Sequence, residues 1–346
     1  MSQRAPWYYY LPLLVFPFIL FAPIILSGRA LFWGTPLTQF IPWWTYAWDE
    51  ITRGVLPLWN SILGMGAPLI ANYQSALFYP PTWLYFLLYS IGGVPAMAWF
   101  QAVMVLLHLI WGSLGMALLI RQLRLGLLAQ VIAGLAFGLS GYLVSRAGFL
   151  SINAAVAWMP WIILGVTKLI AAYNSQSIDN PHTAVSEENR QNKLVSAFLL
   201  LTVSIAMQLL AGHAQTAWYS LILASVWALY FAMTNSRNTR RSVSSSTNES
   251  TDNSEDQAAK NILASSGDQV KKSPTYPVVK MLLLPGAALL LAIGLAAVQL
   301  LPTIEYLLQS QRSAAVDYDF AMSYSFWPWR FLSFVAPDLF GNPVFG

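Results

Sequence analysis

Long apolar runs separated by polar stretches set the first expectation. A helix needs about 20 mostly apolar residues to cross a bilayer, because all its backbone hydrogen bonds must close internally there. Seven runs come near that length, at 8–26, 97–120, 127–144, 152–171, 194–211, 214–233 and 280–301. The pattern predicts an all-α polytopic membrane protein with about seven transmembrane helices. A shorter apolar run, 76–91, carries Pro80-Pro81 and reads as a helix lying at the interface. Its alternative is an eighth crossing.

Charge decides between those two topologies, since cytoplasmic loops collect Lys and Arg. With seven crossings and a cytoplasmic N-terminus, thirteen of the eighteen basic residues fall inside, and only Arg29, Arg53, Arg146, Arg312 and Arg330 stay outside. An eighth crossing would move Arg121 and Arg124 outside. The 57% hydrophobic and 9% charged composition agrees with a bilayer as the solvent. The net charge of +4 is explained by anchoring residues at cytoplasmic helix ends, so no nucleic-acid partner is implied. The absence of cysteine removes disulfides and thiolate chemistry. The first run reads as a retained anchor, because Ser27-Gly-Arg-Ala30 is a poor cleavage site.

The loops differ in kind. Segment 235–274 is rich in Ser, Asn, Thr and mixed charge, and reads as a disordered cytoplasmic loop. The polar stretch 174–193 has the same character. Segment 28–96 is a long non-cytoplasmic loop without low complexity, and loops of that kind are often functional. It holds six of the fifteen tryptophans, Trp33, Trp43, Trp44, Trp48, Trp59 and Trp83. These read either as an aromatic belt at the headgroups or as an apolar wall for a sugar or a prenyl chain. Segment 302–346 is non-cytoplasmic as well.

The first outer loop runs Thr35-Pro-Leu-Thr-Gln-Phe-Ile-Pro-Trp-Trp44, Trp48-Asp-Glu50, Arg53-Gly-Val-Leu-Pro-Leu-Trp-Asn60, Gly64-Met-Gly-Ala-Pro68 and Ala71-Asn-Tyr-Gln-Ser-Ala-Leu-Phe-Tyr-Pro-Pro81. Further on come Gly134-Leu-Ala-Phe-Gly-Leu-Ser-Gly141, Ala157-Trp-Met-Pro-Trp161, Gly212-His-Ala-Gln-Thr-Ala217, Gln299-Leu-Leu-Pro-Thr-Ile-Glu305 and Ala336-Pro-Asp-Leu-Phe-Gly341. In order and number these motifs resemble the YfhO family of bacterial membrane proteins, relatives of the GT-C glycosyltransferases. The resemblance implies one GT-C-like transmembrane domain over 1–346, corresponding to an N-terminal portion of the usual architecture. Family members usually carry an acidic residue shortly before the first Pro-Trp element, and by spacing that position here is Thr35.

The resemblance also implies a reaction. A polyprenyl-phosphate sugar would enter from membrane lipid and pass its sugar to a cell-envelope acceptor at the outer face of the plasma membrane. Such a transfer needs a carboxylate base for the acceptor hydroxyl and donors for the departing phosphate. Asp49 and Glu50, the only acids in the first outer loop, are the catalytic candidates; the alternative is two solvated acids, with Asp49 paired to Arg53 at i, i+4. Substrate-binding candidates within the motifs are Trp59, Asn60, Asn72, Gln74, His213 and Gln215, and Arg146 joins them as an outer cation. Glu305, Gln309 and Arg312, at i, i+4 and i+7, share one face of a continuing helix and join them. Arginine suits phosphate because its fork donates two parallel hydrogen bonds.

His108 lies mid-helix, where hydrogen bonding to another helix is its expected task. No metal-ligand spacing and no glycine-rich nucleotide loop is present, so no cofactor is implied; a divalent metal on Asp49, Glu50 or Glu305 stays open. Two other functions compete with glycosyl transfer. One is a transporter or flippase for a lipid-linked substrate, which would need ionisable groups along a mid-membrane path. The other is a non-catalytic scaffold subunit.

Overall fold

The computed structural model describes residues 6–31, 34–174, 184–249, 278–310, 318–323, 325, 327–336 and 338–341. Among them, seven helices are long and apolar enough to cross a membrane: Trp7–Leu26, Thr82–Gln122, Leu127–Ser145, Leu150–Tyr173, Glu188–Leu210, Ala214–Thr234 and Met281–Gln309. The chain is an all-α, multi-pass membrane protein. Its elements are α1 (Pro12–Leu26), α2 (Ile41–Thr52), α3 (Thr82–Gln122), α4 (Leu127–Gly138), α5 (Gly141–Ser145), α6 (Leu150–Ala157), α7 (Met159–Asn174), α8 (Ala184–Leu210), α9 (Ala214–Glu249), α10 (Val278–Gln309) and α11 (Tyr318–Ser323). Two short strands, β1 (Trp59–Asn60) and β2 (Ala67–Pro68), pair antiparallel inside the first long loop.

Two compact units divide the chain, 1–303 and 304–346. The second contains the last turns of α10, α11 and a 3-10 segment, Pro328–Phe334, in which Phe331 and Phe334 lie 6.1 Å apart. Within the first unit, the interface between α3 and α4 is built on small residues. A Cβ on Gly138 would fall 1.8 Å from Ser113 Oγ, and one on Gly134 would fall 2.8 Å from the Ser113 carbonyl. Close backbone approach of this kind replaces the hydrophobic drive that lipid does not supply between membrane helices. Gly134 and Gly138 of the Gly134–Gly141 motif are therefore helix packing.

Several polar residues inside the bundle bind elements together. Gln208 donates to the Ala155 carbonyl at 2.8 Å and to Ser220 Oγ at 2.9 Å, joining α6, α8 and α9. His108 closes a chain in which Trp158 Nε1 donates to Tyr79 Oη at 3.0 Å, Tyr79 Oη donates to Nε2 at 2.8 Å and Nδ1 donates to the Met104 carbonyl at 2.8 Å. Each group has a partner, so His108 ties α3 to the loop before it and to the start of α7.

Three sequence expectations meet structure in different ways. The run 76–91 is a helix from Thr82 that breaks at Gly93 (φ 63°, ψ −157°), after which α3 resumes. Helix α8 begins at Ala184 and α9 continues to Glu249, so both polar stretches at that end are partly helical. Residues 175–183 and 250–274 lie outside the described residues. At the same end, Gln122, Lys168 and Lys193 line one surface pocket.

Candidate functional site

At the opposite end of the bundle, the first long loop is built and packed. Helix α2 continues from a π-type turn, Pro36–Phe40, and its apolar stripe Phe40, Ile41, Trp44 and Ala47 is buried. Trp44 donates to the Ser75 carbonyl at 2.8 Å and stacks on Tyr85 at 4.3 Å, while Trp48 stacks on Phe86 at 5.2 Å. Trp43 and Trp44 are thus core residues, which corrects the belt reading for these two. The amphipathic period of α2 turns them inward. Trp59 and Trp83 are half-exposed, and Trp33 lies outside the described residues.

The turn Asn72–Ala76 is held from three directions. Asn72 caps it, accepting from the Gln74 amide at 3.2 Å. From α10, Gln299 Nε2 donates to the Ile70 carbonyl at 2.8 Å and Thr303 Oγ1 to the Ala71 carbonyl at 3.1 Å. The third support is the turn between α8 and α9. The half-buried Tyr73 donates its hydroxyl to the Leu209 carbonyl, and partial burial pushes its pKa up to about 12. Gly212 there has φ +82°, and a Cβ would meet the Tyr73 carbonyl at 2.9 Å and the Gln74 carbonyl at 3.2 Å, so only glycine allows the approach.

These contacts gather polar groups from four separate stretches. Thr35 Oγ1 donates to the Gly148 carbonyl at 2.8 Å. Gln39, one turn further along, donates to Gln74 Oε1 at 3.1 Å. His213, beside Gly212, caps α9: its Nδ1 accepts the Thr216 amide at 3.2 Å and lies 2.7 Å from Thr216 Oγ1. That contact leaves the proton on Nε2. Burial, and then the nearby Arg146 charge, hold His213 below its ordinary pKa. Thr35 and Gly148 line a cavity of about 380 Å³ together with Ile24, Ala30, Leu31, Gly34, Ser145 and Phe149.

Arg146 sits in the turn between α5 and α6. Its guanidinium lies 4.9 Å from the Tyr142 ring and 5.8 Å from the Phe149 ring. Its carbonyl accepts from Asn153 Nδ2 at 2.5 Å, and Asn153 Oδ1 is buried without a partner. Among the described residues the Arg146 guanidinium meets no carboxylate, whereas Arg53 pairs with Glu50 at 3.2 Å.

That pair corrects the expected Asp49–Arg53 contact. The i, i+3 geometry wins because Asp49 faces Tyr89 of α3 instead. Both acids stand at the far end of α2, fourteen and fifteen residues beyond Thr35, or roughly 21 Å at the helical rise. Trp59 and Asn60 lie in the hairpin near that end. The Trp59 carbonyl accepts from Tyr46 at 3.0 Å, its ring crosses Gly66, and buried Asn60 turns its Oδ1 to the Ile62 amide at 3.0 Å.

Gln215, at the start of α9, donates to Tyr219 at 2.8 Å. Glu305 and Gln309 are exposed on one face of α10 in the second unit, and Arg312 lies outside the described residues. Among the described residues no three His, Asp or Glu side chains come together as metal ligands.

The structure therefore sets the Gly212–His213 turn against Gln74, with Asn72 beside it, and places Arg146 in the turn that Thr35 bonds, while Asp49, Glu50, Trp59 and Asn60 stand at the other end of α2. Sequence reasoning missed Gln39 and Thr216. The spacing of Gln39 four residues after Thr35 was the available signal for the first. No known protein family, curated protein or solved structure matches the chain.

Proposed function

We propose that the chain is a GT-C-like membrane protein that takes a polyprenyl-phosphate-linked sugar at the loop end of the bundle and serves its transfer to a cell-envelope acceptor outside the plasma membrane. One observation carries the reading: Thr35, Gln74 and His213, each from a different YfhO-like segment, stand at the loop end, where Thr35 lines a cavity and bonds to Gly148 in the turn that holds Arg146, Gln74 bonds to Gln39 one turn beyond Thr35, and Gly212 beside His213 packs on the Gln74 carbonyl. A base must reach the acceptor hydroxyl to within hydrogen-bond distance. With Asp49 and Glu50 roughly 21 Å along α2 from Thr35, a sugar bound at that place is beyond them.

The same separation, with threonine at position 35, favours a second reading, a subunit that binds the lipid-linked sugar without transferring it. Turnover of a polyprenyl-phosphate sugar by the full chain in vesicles decides between the two. On the enzyme reading the Asp49→Asn, Glu50→Gln double variant keeps its rate within about twofold, because the acids lie away from the reacting carbon. A loss of about a hundredfold or more, the size general-base catalysis supplies, would move the reaction to the acid end and sink this placement. Absence of turnover with retained binding would leave the second reading.

A further inference from the structure

We infer that the pocket between α3, α7 and α8, at the base-rich end of the bundle, binds the phosphodiester headgroup of an anionic glycerophospholipid. The pocket stands at the opposite end from the first long loop, so nothing in it depends on glycosyl transfer.

The pocket holds about 310 Å³ and is lined by Gln122, Lys168, Ala171, Ala172, Lys193 and Ser196. Two lysines therefore wall one recess from different helices, Lys168 from α7 and Lys193 from α8. Among the described residues neither pairs with a carboxylate, and no lining residue is acidic. Two like charges at one recess repel, and an anion between them removes the repulsion. Gln122 closes α3 beside them and brings an amide donor, while the Ser196 hydroxyl turns back to the Lys193 carbonyl at 3.0 Å. The short side chains of Ala171 and Ala172 leave the space that a longer residue would fill.

Depth identifies the ligand as a lipid. The three helices are long and apolar enough to cross a membrane over Thr82–Gln122, Leu150–Tyr173 and Glu188–Leu210. Lys168 lies five residues before Tyr173 and Lys193 five after Glu188, roughly 7.5 Å inside each span by the helical rise. At that depth a lysine lays its apolar stem along the helix and lifts its charge to the headgroups. The same face of α8 continues into the span with Leu199 and Val203, three and seven residues past Ser196 and both about half exposed. An apolar stripe below two cations matches acyl chains below a phosphate.

The surrounding charge selects the headgroup. Arg121, Arg124 and Arg190 stand at the same end, where Glu188 is the one acid among the described side chains. Phosphatidylcholine carries a quaternary ammonium beside its phosphate, which that field repels, whereas phosphatidylglycerol carries none. Basic pockets between helices take anionic headgroups of this kind.

The test is native mass spectrometry of the full chain in detergent, titrated with an equimolar mixture of phosphatidylglycerol and phosphatidylcholine of matched chains. Wild type is expected to retain phosphatidylglycerol about tenfold better, the order that two lysines near a charged headgroup supply. Lys168→Ala with Lys193→Ala should bring that preference to within about twofold, whereas Lys168→Arg with Lys193→Arg, which keeps both charges, should hold most of it. Arg121→Gln with Arg124→Gln removes as many bases from the same end but outside the pocket, and should leave the preference within about twofold of wild type. Helical circular dichroism establishes that each variant is folded.

Equal retention of the two lipids by wild type would overturn the inference. So would equal losses from the lysine pair and the arginine pair, which would make the contact a diffuse surface charge. Displacement of phosphatidylglycerol by millimolar inorganic phosphate would assign the pocket to a soluble oxyanion instead of a lipid.

Discussion

The two ends of α2 are held in opposite ways. At its N-terminal end, Thr35 bonds to Gly148, Gln101 donates to the Pro36 carbonyl at 3.2 Å and Gln39 bonds to Gln74, so partners come from 35 to 113 residues away in sequence. At its C-terminal end, Arg53 pairs with Glu50, Thr52 bonds to the Asp49 carbonyl, and the Gly54 and Val55 amides close on the Ile51 and Glu50 carbonyls. Apart from the approach of Asp49 to Tyr89, the polar contacts of the acid end are local. Ordering distant groups costs entropy that packing must offset. An end where four stretches meet around exposed donors is thus a built place, while two acids on a local helix end are what any surface helix carries.

The largest expected effect breaks the built end. Gly212→Val forces a β-branched side chain to φ +82° and drives its Cβ into the Tyr73 and Gln74 carbonyls. Positive φ costs about 1–2 kcal/mol and overpacking about 1–3 kcal/mol. The variant should lose about 2–4 kcal/mol in chemical denaturation. A loss below about 1 kcal/mol would show that the Asn72–Ala76 turn yields to the new side chain and that the loop end is not rigidly built.

A smaller effect sharpens the comparison from the α10 side. Gln299→Leu removes the donor to the Ile70 carbonyl and leaves that buried acceptor unpaired, but it also removes Gln299 Oε1, which is itself buried without a partner. The two changes oppose each other, so the loss should be about 1 kcal/mol. Thr303, still bonded to the Ala71 carbonyl, limits how far the turn can move. A loss several times larger would mean that Gln299 anchors the whole loop end.

Much of the fold is legible in the sequence because membrane crossing is a local property. A run of about 20 apolar residues is visible without knowing what it packs against, and the seven runs match the seven helices to within a few residues, apart from the helix leading into the second, the earlier start of the fifth and the extension of the last. The site is legible only in pieces. Gln74 and His213 stand in recognisable motifs and Arg146 does not, and the approach of the first two depends on Gly212 meeting the Tyr73 carbonyl, a contact across more than a hundred residues. The Gly134–Gly141 and Gln299–Glu305 motifs are equally visible in sequence, and part of each proves to be packing and loop support. A sequence motif marks a constrained position without saying whether the constraint is chemical or mechanical.

The smallest effect probes the acid end. Both i, i+3 and i, i+4 spacings allow a pair with Arg53, and Glu50 takes it while Asp49 turns to Tyr89. The Arg53 side chain is 70% exposed, so water and salt screen the attraction and a pair of this kind contributes less than about 1 kcal/mol. Glu50→Gln should therefore lower stability by no more than a few tenths of a kcal/mol, shrinking further in high salt. A loss above about 1 kcal/mol that persists in salt would mean that Glu50 has a buried partner in the intact chain. In that case the acid end would be built too, and the contrast between the two ends of α2 would fail.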